Sequence, residues 1–282
     1  MKEDYEHEMV RYLLNSRPLD EFDMLSPNEM HYLLYDPFGE KSPMAYSPYL
    51  CQEVIQKIPF FNLTSYYLNL IYNAKTVKLT SHGNLPTKMV LNIYSKKFII
   101  EEIFEEGLYK LVKQSDSMTI TNARLIAELE GLTKLRKNNL SLTQKGEKLL
   151  KTENQLDLFK EIFKVFTTKF NWAYNDGYGD NPIGQMGFAY SLMLISKYGN
   201  KERHFDFYAE KYKKAFPDLL ETINEPHFQN KAMEMDYCYA LRTFERFMVW
   251  FGFIEVNEKI APDNKSYHLK KSEIFDHVFK FD

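Results

Sequence analysis

Cysteine is nearly absent. Two residues, Cys51 and Cys238, stand far apart in a chain of 282. They cannot build a disulfide framework or a four-ligand thiolate site, which points to a reducing, cytoplasmic setting. Long apolar runs are also missing. The longest, over residues 247–254, is far short of the ~20 residues needed to cross a bilayer, so no membrane partner is expected. The N-terminus, MKEDYEHEMV, is acidic and polar, unlike a secretory leader. Enzyme signatures are lacking too: there is no Walker loop, GxGxxG, GxSxG or HExxH. A catalytic role is therefore not the leading expectation, and no cofactor or metal is expected.

Histidine is scattered over seven positions, with His204-Phe-Asp206 the one local pairing that suggests ligation or proton relay. It has no third partner nearby in sequence. The stretch 171–182 places Asn and Asp at calcium-loop spacing, but an EF-hand needs acids at positions one and three and a Glu at twelve. Those positions hold Asn171, Ala173 and Pro182. A turn is the expectation there. Gly177 and Gly179 would take positive φ, and Asp176 and Asp180 would fold back on nearby N–H groups. On that reading Asp176→Asn should cost little. Helices are expected over 188–198 and 204–216 on either side of a short connection.

What the chain has in quantity is aromatic side chains, 22 Phe and 20 Tyr, and unevenly spread charge. Residues 1–74 carry net −6, residues 75–151 net +6 and residues 152–282 net −3. A local excess of Lys and Arg is what phosphate binding requires, although solvated lysines alone give the same count.

The basic stretch is also the most ordered in pattern. A β-branched run (VKLT, 77–80) ends at a His-Gly-Asn turn. Pro86 suits the first turn of a helix carrying Met89, Val90, Ile93 and Tyr94. Thr119 or Thr121 can cap the next helix, whose apolar face is Leu125, Ile126, Leu129 and Leu132. Gly131 ends it. Leu132 to Leu135 and Leu140 to Thr143 then alternate around a basic, Asn-rich tip, Arg136-Lys137-Asn138-Asn139. Thr143 caps a further helix containing Leu149 and Leu150, and an apolar stretch over 63–72 supplies the helix at the start. This order of elements, with its ending "apolar helix, GL, short hairpin, LSLTxKG", resembles winged-helix domains of bacterial regulators. The resemblance implies DNA binding through the third helix and the wing, or a protein-interaction module that has lost DNA. Three further stretches, LSPNEMHYLLYDPF (25–38), LTSHGNLPTK (79–88) and FNWAYNDGY (170–178), are similar to a widespread bacterial family of unknown function.

The ending recurs. Residues 247–256 (FMVWFGFIEV) align with residues 126–135 (IAELEGLTKL) when Gly252 is set on Gly131, and Ser272 then matches Thr143. The second hairpin would be longer, with its tip at Pro262-Asp-Asn264. Trp250 would be buried. The expected fold is thus mainly α with small β-hairpins, comprising two winged-helix-like domains joined and wrapped by helices. Residues 1–61 would form a proline-rich wrap, 62–151 the first domain, and 152–282 a helical domain ending in the second. Capping boxes are expected at Ser26-Pro-Asn-Glu29 and Thr152-Glu-Asn-Gln155. The acidic run Glu101, Glu102, Glu105, Glu106 reads as a solvated helix face.

For double-stranded DNA the candidate contacts are Asn122 and Arg124, outward on the third helix beside Ala127 and Glu128. Lys134, Arg136, Lys137 and Asn138 in the wing, Lys145, and Arg242 and Arg246 complete the set. Arg and Asn are base-reading types, but Glu128 and Glu130 oppose phosphate. The alternative expectation is a scaffold for a protein partner.

Overall fold

The computed structural model describes residues 10, 12–224, 230–258 and 267–281. The expected hairpin tip at 262–264 lies outside them. About 54% of the chain is helical and 11% is strand in small sheets, so the protein is mainly α with small β elements. It divides into two compact units. One holds Met1–Leu50 with Asn171–Asp282, the other Cys51–Phe170. The boundaries lie outside those expected at 61/62 and 151/152, and the first fifty residues belong with the C-terminal half.

In residues 1–50, α1 (Pro27–Tyr35) opens with the expected capping box at Ser26 and Glu29 and with Pro27 in its first turn. β1 (Met44–Tyr46) follows.

The 51–170 unit begins with α2 (Gln52–Ile55) and α3 (Pro59–Ala74). β2 (Val77–Lys78), α4 (Thr87–Tyr94), a single turn α5 (Glu102–Glu105) and α6 (Met118–Leu129) come next. The hairpin β3 (Thr133–Arg136) and β4 (Asn139–Leu142), then α7 (Gln144–Leu149) and α8 (Gln155–Thr168), complete it. The strands form a sheet in the order β2-β4-β3. Its core is the apolar face of α3 (Tyr67, Leu68 and Ile71) against Ile120, Ala123 and Ile126 of α6 and the phenylalanines of α8. Edge-to-face pairs Phe60–Phe166 at 5.3 Å and Phe61–Phe159 at 5.9 Å lock α3 onto α8. That packing is why the unit reaches residues 51 and 170. The box expected at Thr152 does not form; a 3-10 turn occupies 152–154 and α8 starts without a side-chain cap. α6 is capped by Ser117, whose Oγ accepts from Ile120 N, ahead of the expected threonines.

The other unit continues with α9 (Phe188–Tyr198), β5 (Arg203–His204), α10 (Phe205–Ala215) and α11 (Lys231–Tyr239). α11 runs on into a π-helical segment, Ala240–Met248. The hairpin β6 (Ile254–Glu258) and β7 (Tyr267–Lys271), α12 (Glu273–Val278) and β8 (Phe279–Phe281) end the chain. Its sheet has the order β5-β7-β6, the same topology as the first. β1 pairs antiparallel with β8, so residues 44–46 close the C-terminus. Asp23 accepts from Lys197, Lys211 and Tyr198 Oη (2.8, 2.5 and 3.0 Å) and ties the N-terminal segment to α9 and α10.

The aligned endings share their glycine stop and the hydroxyl bond that closes it. Gly131 (φ 68°) and Gly252 (φ 68°) each sit in the left-handed region after a helix. Leu132 N donates to Ala127 O at 2.8 Å and Phe253 N to Met248 O at 2.8 Å. Each is the long bond of a glycine helix stop. Thr143 Oγ1 donates to Gly131 O, and Ser272 Oγ to Gly252 O, both at 2.6 Å. Register agrees as well: Val77 faces Leu140 as Arg203 faces Leu269. Trp250 is 7% exposed, as expected.

Candidate interaction surfaces

The hairpin tip fulfils its expected form. Arg136 pairs with Asn139, leaving Lys137 (φ 48°) and Asn138 (φ 63°) as a two-residue turn with both centres left-handed. Such turns match the twist of the strands, and Asn tolerates that backbone. Lys134, Arg136, Lys137 and Asn138 are exposed. The Asn138 amide donates to Leu79 O at 2.9 Å and Thr80 O at 3.3 Å, so its side chain fixes the tip to the loop after β2.

The third helix departs from expectation. Asn122 is 2% exposed, Ala127 0% and Arg124 9%; they do not face outward. Arg124 Nε donates to Glu128 Oε1 at 2.8 Å, and Nη1 to Gly83 O at 2.7 Å and Gln114 Oε1 at 2.9 Å. The guanidinium therefore ties the turn after β2 to α6. Asn122 Oδ1 has no hydrogen-bond partner among the described residues. Neither side chain is presented on the outer face of this helix. Its exposed positions are Glu128 and Leu129.

Lys145 is committed as well. It is paired with Glu130 and lies 3.4 Å from Glu161. An open cleft of about 360 Å³ beside it is lined by Lys145, Lys148 and Lys160 with Asp157 and Glu161, three bases against two acids.

Arg242 is the largest correction. It is 1% exposed and enclosed by the 171–183 loop. Nε donates to Asp176 Oδ2, Nη1 to Asn181 O (2.7 Å), Asn181 Oδ1 (2.8 Å) and Ile183 O (3.1 Å), and Nη2 to Gly179 O (3.0 Å). Both Arg242 and Asp176 side chains are 0% exposed. Arg246, half-buried, leans toward Tyr174 O and Asn175 O at 3.5 and 3.4 Å. Burial pulls its pKa below the ordinary arginine value. The two arginines organise the loop. Gly177 (φ 85°) and Gly179 (φ 77°) take the expected backbone, and Asp176 Oδ1 accepts from Tyr178 N at 2.9 Å. Asp176 is thus a turn-maker and also the counterion of a buried guanidinium. No local pattern signals the second role, since its partner lies 66 residues away. Beside the loop, burial pushes the Cys238 thiol up to about 12, which leaves it protonated and unreactive.

His204 caps α10 through Asp206 N at 3.3 Å and approaches Asp206 Oδ2 at 3.1 Å. Its ring lies 5.3 Å from His268 across the ladder.

Two features run against the sequence pattern. Glu101, expected to be solvated, accepts from Ser117 Oγ, Met118 N and Thr119 Oγ1 at 2.5, 3.1 and 2.7 Å. It places a carboxylate on the positive end of α6. The segment around and after it exposes Ile100 (59%), Ile103 (48%), Leu108 (73%), Tyr109 (54%) and Val112 (52%). Helical period alone would turn Ile103 and Leu108 inward.

No family model, curated protein or solved structure matches the chain. Among the described residues, no helix is long and apolar enough to cross a membrane.

Proposed function

We propose that the protein is a scaffold of two winged-helix-like modules that engages a protein partner and does not read base sequence. The observation that carries this reading is the enclosure of Asn122, Arg124 and Arg242, the residues suited to base edges, within the protein interior. Base readout needs side chains that reach groove atoms. The exposed apolar segment over 100–112 supports a protein surface, since contiguous apolar exposure marks interaction sites.

A second reading has its own observation. Lys134, Arg136 and Lys137 stand exposed at a hairpin tip held rigid by Asn138. Such groups hold phosphate without sequence information. The two readings separate in fluorescence anisotropy with a panel of duplexes of unlike sequence. The phosphate reading expects weak binding, equal for every duplex and lost as salt rises; the scaffold reading alone expects none. Preference for one duplex by about 1,000-fold or more would overturn it. If weak binding occurs, Arg136→Ala with Lys137→Ala should lower it and flatten its salt dependence.

A further inference from the structure

We propose that His204 and His268 together hold a divalent transition-metal ion of the zinc or copper type, across the strands β5 and β7. In sequence His204 has Asp206 beside it and no third partner; the fold brings one from another strand. β5 pairs antiparallel with β7, and His204 stands directly opposite His268. Residues paired in this way lie on the same face of the sheet, close enough to interact. The two ring centroids are 5.3 Å apart, with the ring planes at 74°. A metal–nitrogen bond of about 2 Å puts the ring centre about 3.2 Å from the ion, so two imidazoles sharing one tetrahedral ion have centres about 5 Å apart. The pair already stands at that separation.

Each ring has a feature suited to ligation. Asp206 Oδ2 lies 3.1 Å from His204 Nδ1. With a proton on Nδ1 donating to that carboxylate, the lone pair of His204 lies on Nε2. This is how a carboxylate orients a metal-binding histidine, so Asp206 is a positioning residue. His268 Nδ1 is buried and has no hydrogen-bond partner among the described residues, a cost that ligation relieves. Imidazole nitrogen suits zinc, copper and nickel, whereas magnesium and calcium take oxygen. No group of three or more His, Cys, Asp or Glu suited to a metal gathers among the described residues. Two imidazoles are therefore the protein ligands, and water completes the shell. The other three-stranded sheet has no counterpart: in the same register its strands set Lys78 opposite Asn139. The ion fastens β5, which is paired with β7 through residues 203 and 204, to the hairpin.

The test is calorimetric titration of Zn²⁺ into the chelator-treated full chain, with His204→Gln, His268→Gln and Asp206→Asn beside the wild type. The wild type should bind about one equivalent at a site that both histidine variants lose and that Asp206→Asn weakens about 10-fold. Its melting temperature should rise with Zn²⁺, and that of His268→Gln should not. His204 also caps α10, so a folding loss in His204→Gln leaves the decision to His268→Gln, where no hydrogen bond of Nδ1 is broken. Cu²⁺ serves as a spectroscopic probe: its electron paramagnetic resonance should show coupling to two imidazole nitrogens in the wild type and to one in His268→Gln. No binding of either ion, binding undiminished in His268→Gln, or a wild-type copper spectrum with a single nitrogen overturns the proposal and leaves the rings as a packed cross-strand pair. Asp206→Asn binding as tightly as the wild type overturns the positioning role of Asp206.

Discussion

The two three-stranded units close their hairpins with the same bonds but hold their preceding helices by different means. In the 51–170 unit, Arg124 leans along its own helix to Glu128, which is 36% exposed, and reaches Gly83 O. Water can replace part of that contact. In the other unit the helix widens to π geometry, with Val249 N donating to Phe244 O at 2.9 Å, and Arg242 enters a loop that accepts from all three of its guanidinium nitrogens. There a charge is buried with its counterion, and neither can leave alone. A residue type suited to nucleic acid can thus be given over to architecture. Which use applies depends on whether a loop is long enough to enclose the head group.

The largest effect expected from this contrast is at Asp176. Asp176→Asn leaves the Arg242 guanidinium buried without its counterion, and the loss should be about 3–5 kcal/mol, not the small cost expected of a simple turn. Arg124→Ala should cost about 1–2 kcal/mol, because its partner is part-exposed. Both tryptophans, Trp172 and Trp250, lie in the unit containing Arg242, so their fluorescence in a urea titration reports that unit alone. Far-UV circular dichroism sums both units, so the part of its change that does not coincide with the fluorescence transition follows the 51–170 unit. Equal losses at the two sites would break the contrast.

A smaller difference is expected at the paired hydroxyls. Thr143 Oγ1 donates to Gly131 O and also caps α7 by accepting from Gly146 N at 3.1 Å. Ser272 donates to Gly252 O but makes no side-chain cap. Thr143→Ala should therefore cost about 1–2 kcal/mol and Ser272→Ala about 1 kcal/mol or less. The reverse order in denaturant midpoints would count against the equivalence of the two seals.

The smallest effect concerns acid. Burial raises the Asp23 pKa, but hydrogen bonds from Lys197, Lys211 and Tyr198 outweigh it, so the carboxyl titrates below its ordinary value. A depressed folded-state pKa means the stabilisation is complete above the unfolded value, about 4, and is lost as pH falls through the folded one. Asp23→Asn should lower stability at neutral pH and flatten the acid limb of the stability curve. An unchanged acid limb would show that the strap contributes nothing.

Much of the fold is legible in the sequence because it is written locally. The glycine stops, the two-residue turn at Lys137-Asn138 and the Ser26 box depend on residues within a few positions of one another, and the pairing of Thr143 with Ser272 follows from aligning two such local patterns. Periodicity places α9 to the residue. The site is less legible for the opposite reason. Arg124 meets Gly83 and Gln114, Arg242 meets Asp176 and Asn181, and Glu101 meets Ser117, all across sequence distances that no pattern encodes. An arginine on a helix face reads as outward until the loop that covers it is seen. The apolar segment over 100–112 differs again: helical period implies a buried face, but α5 lasts one turn and Gly107 turns the chain before that face can form.

The contrast between the units rests on Arg242 and Asp176 serving each other. A double-mutant cycle of Asp176→Asn, Arg242→Met and the pair, followed by tryptophan fluorescence in urea, tests this most directly. The pair should lose far less than the sum of the single losses, with a coupling of about 2–3 kcal/mol, because removing both charges leaves none buried alone. Single losses that simply add would contradict it.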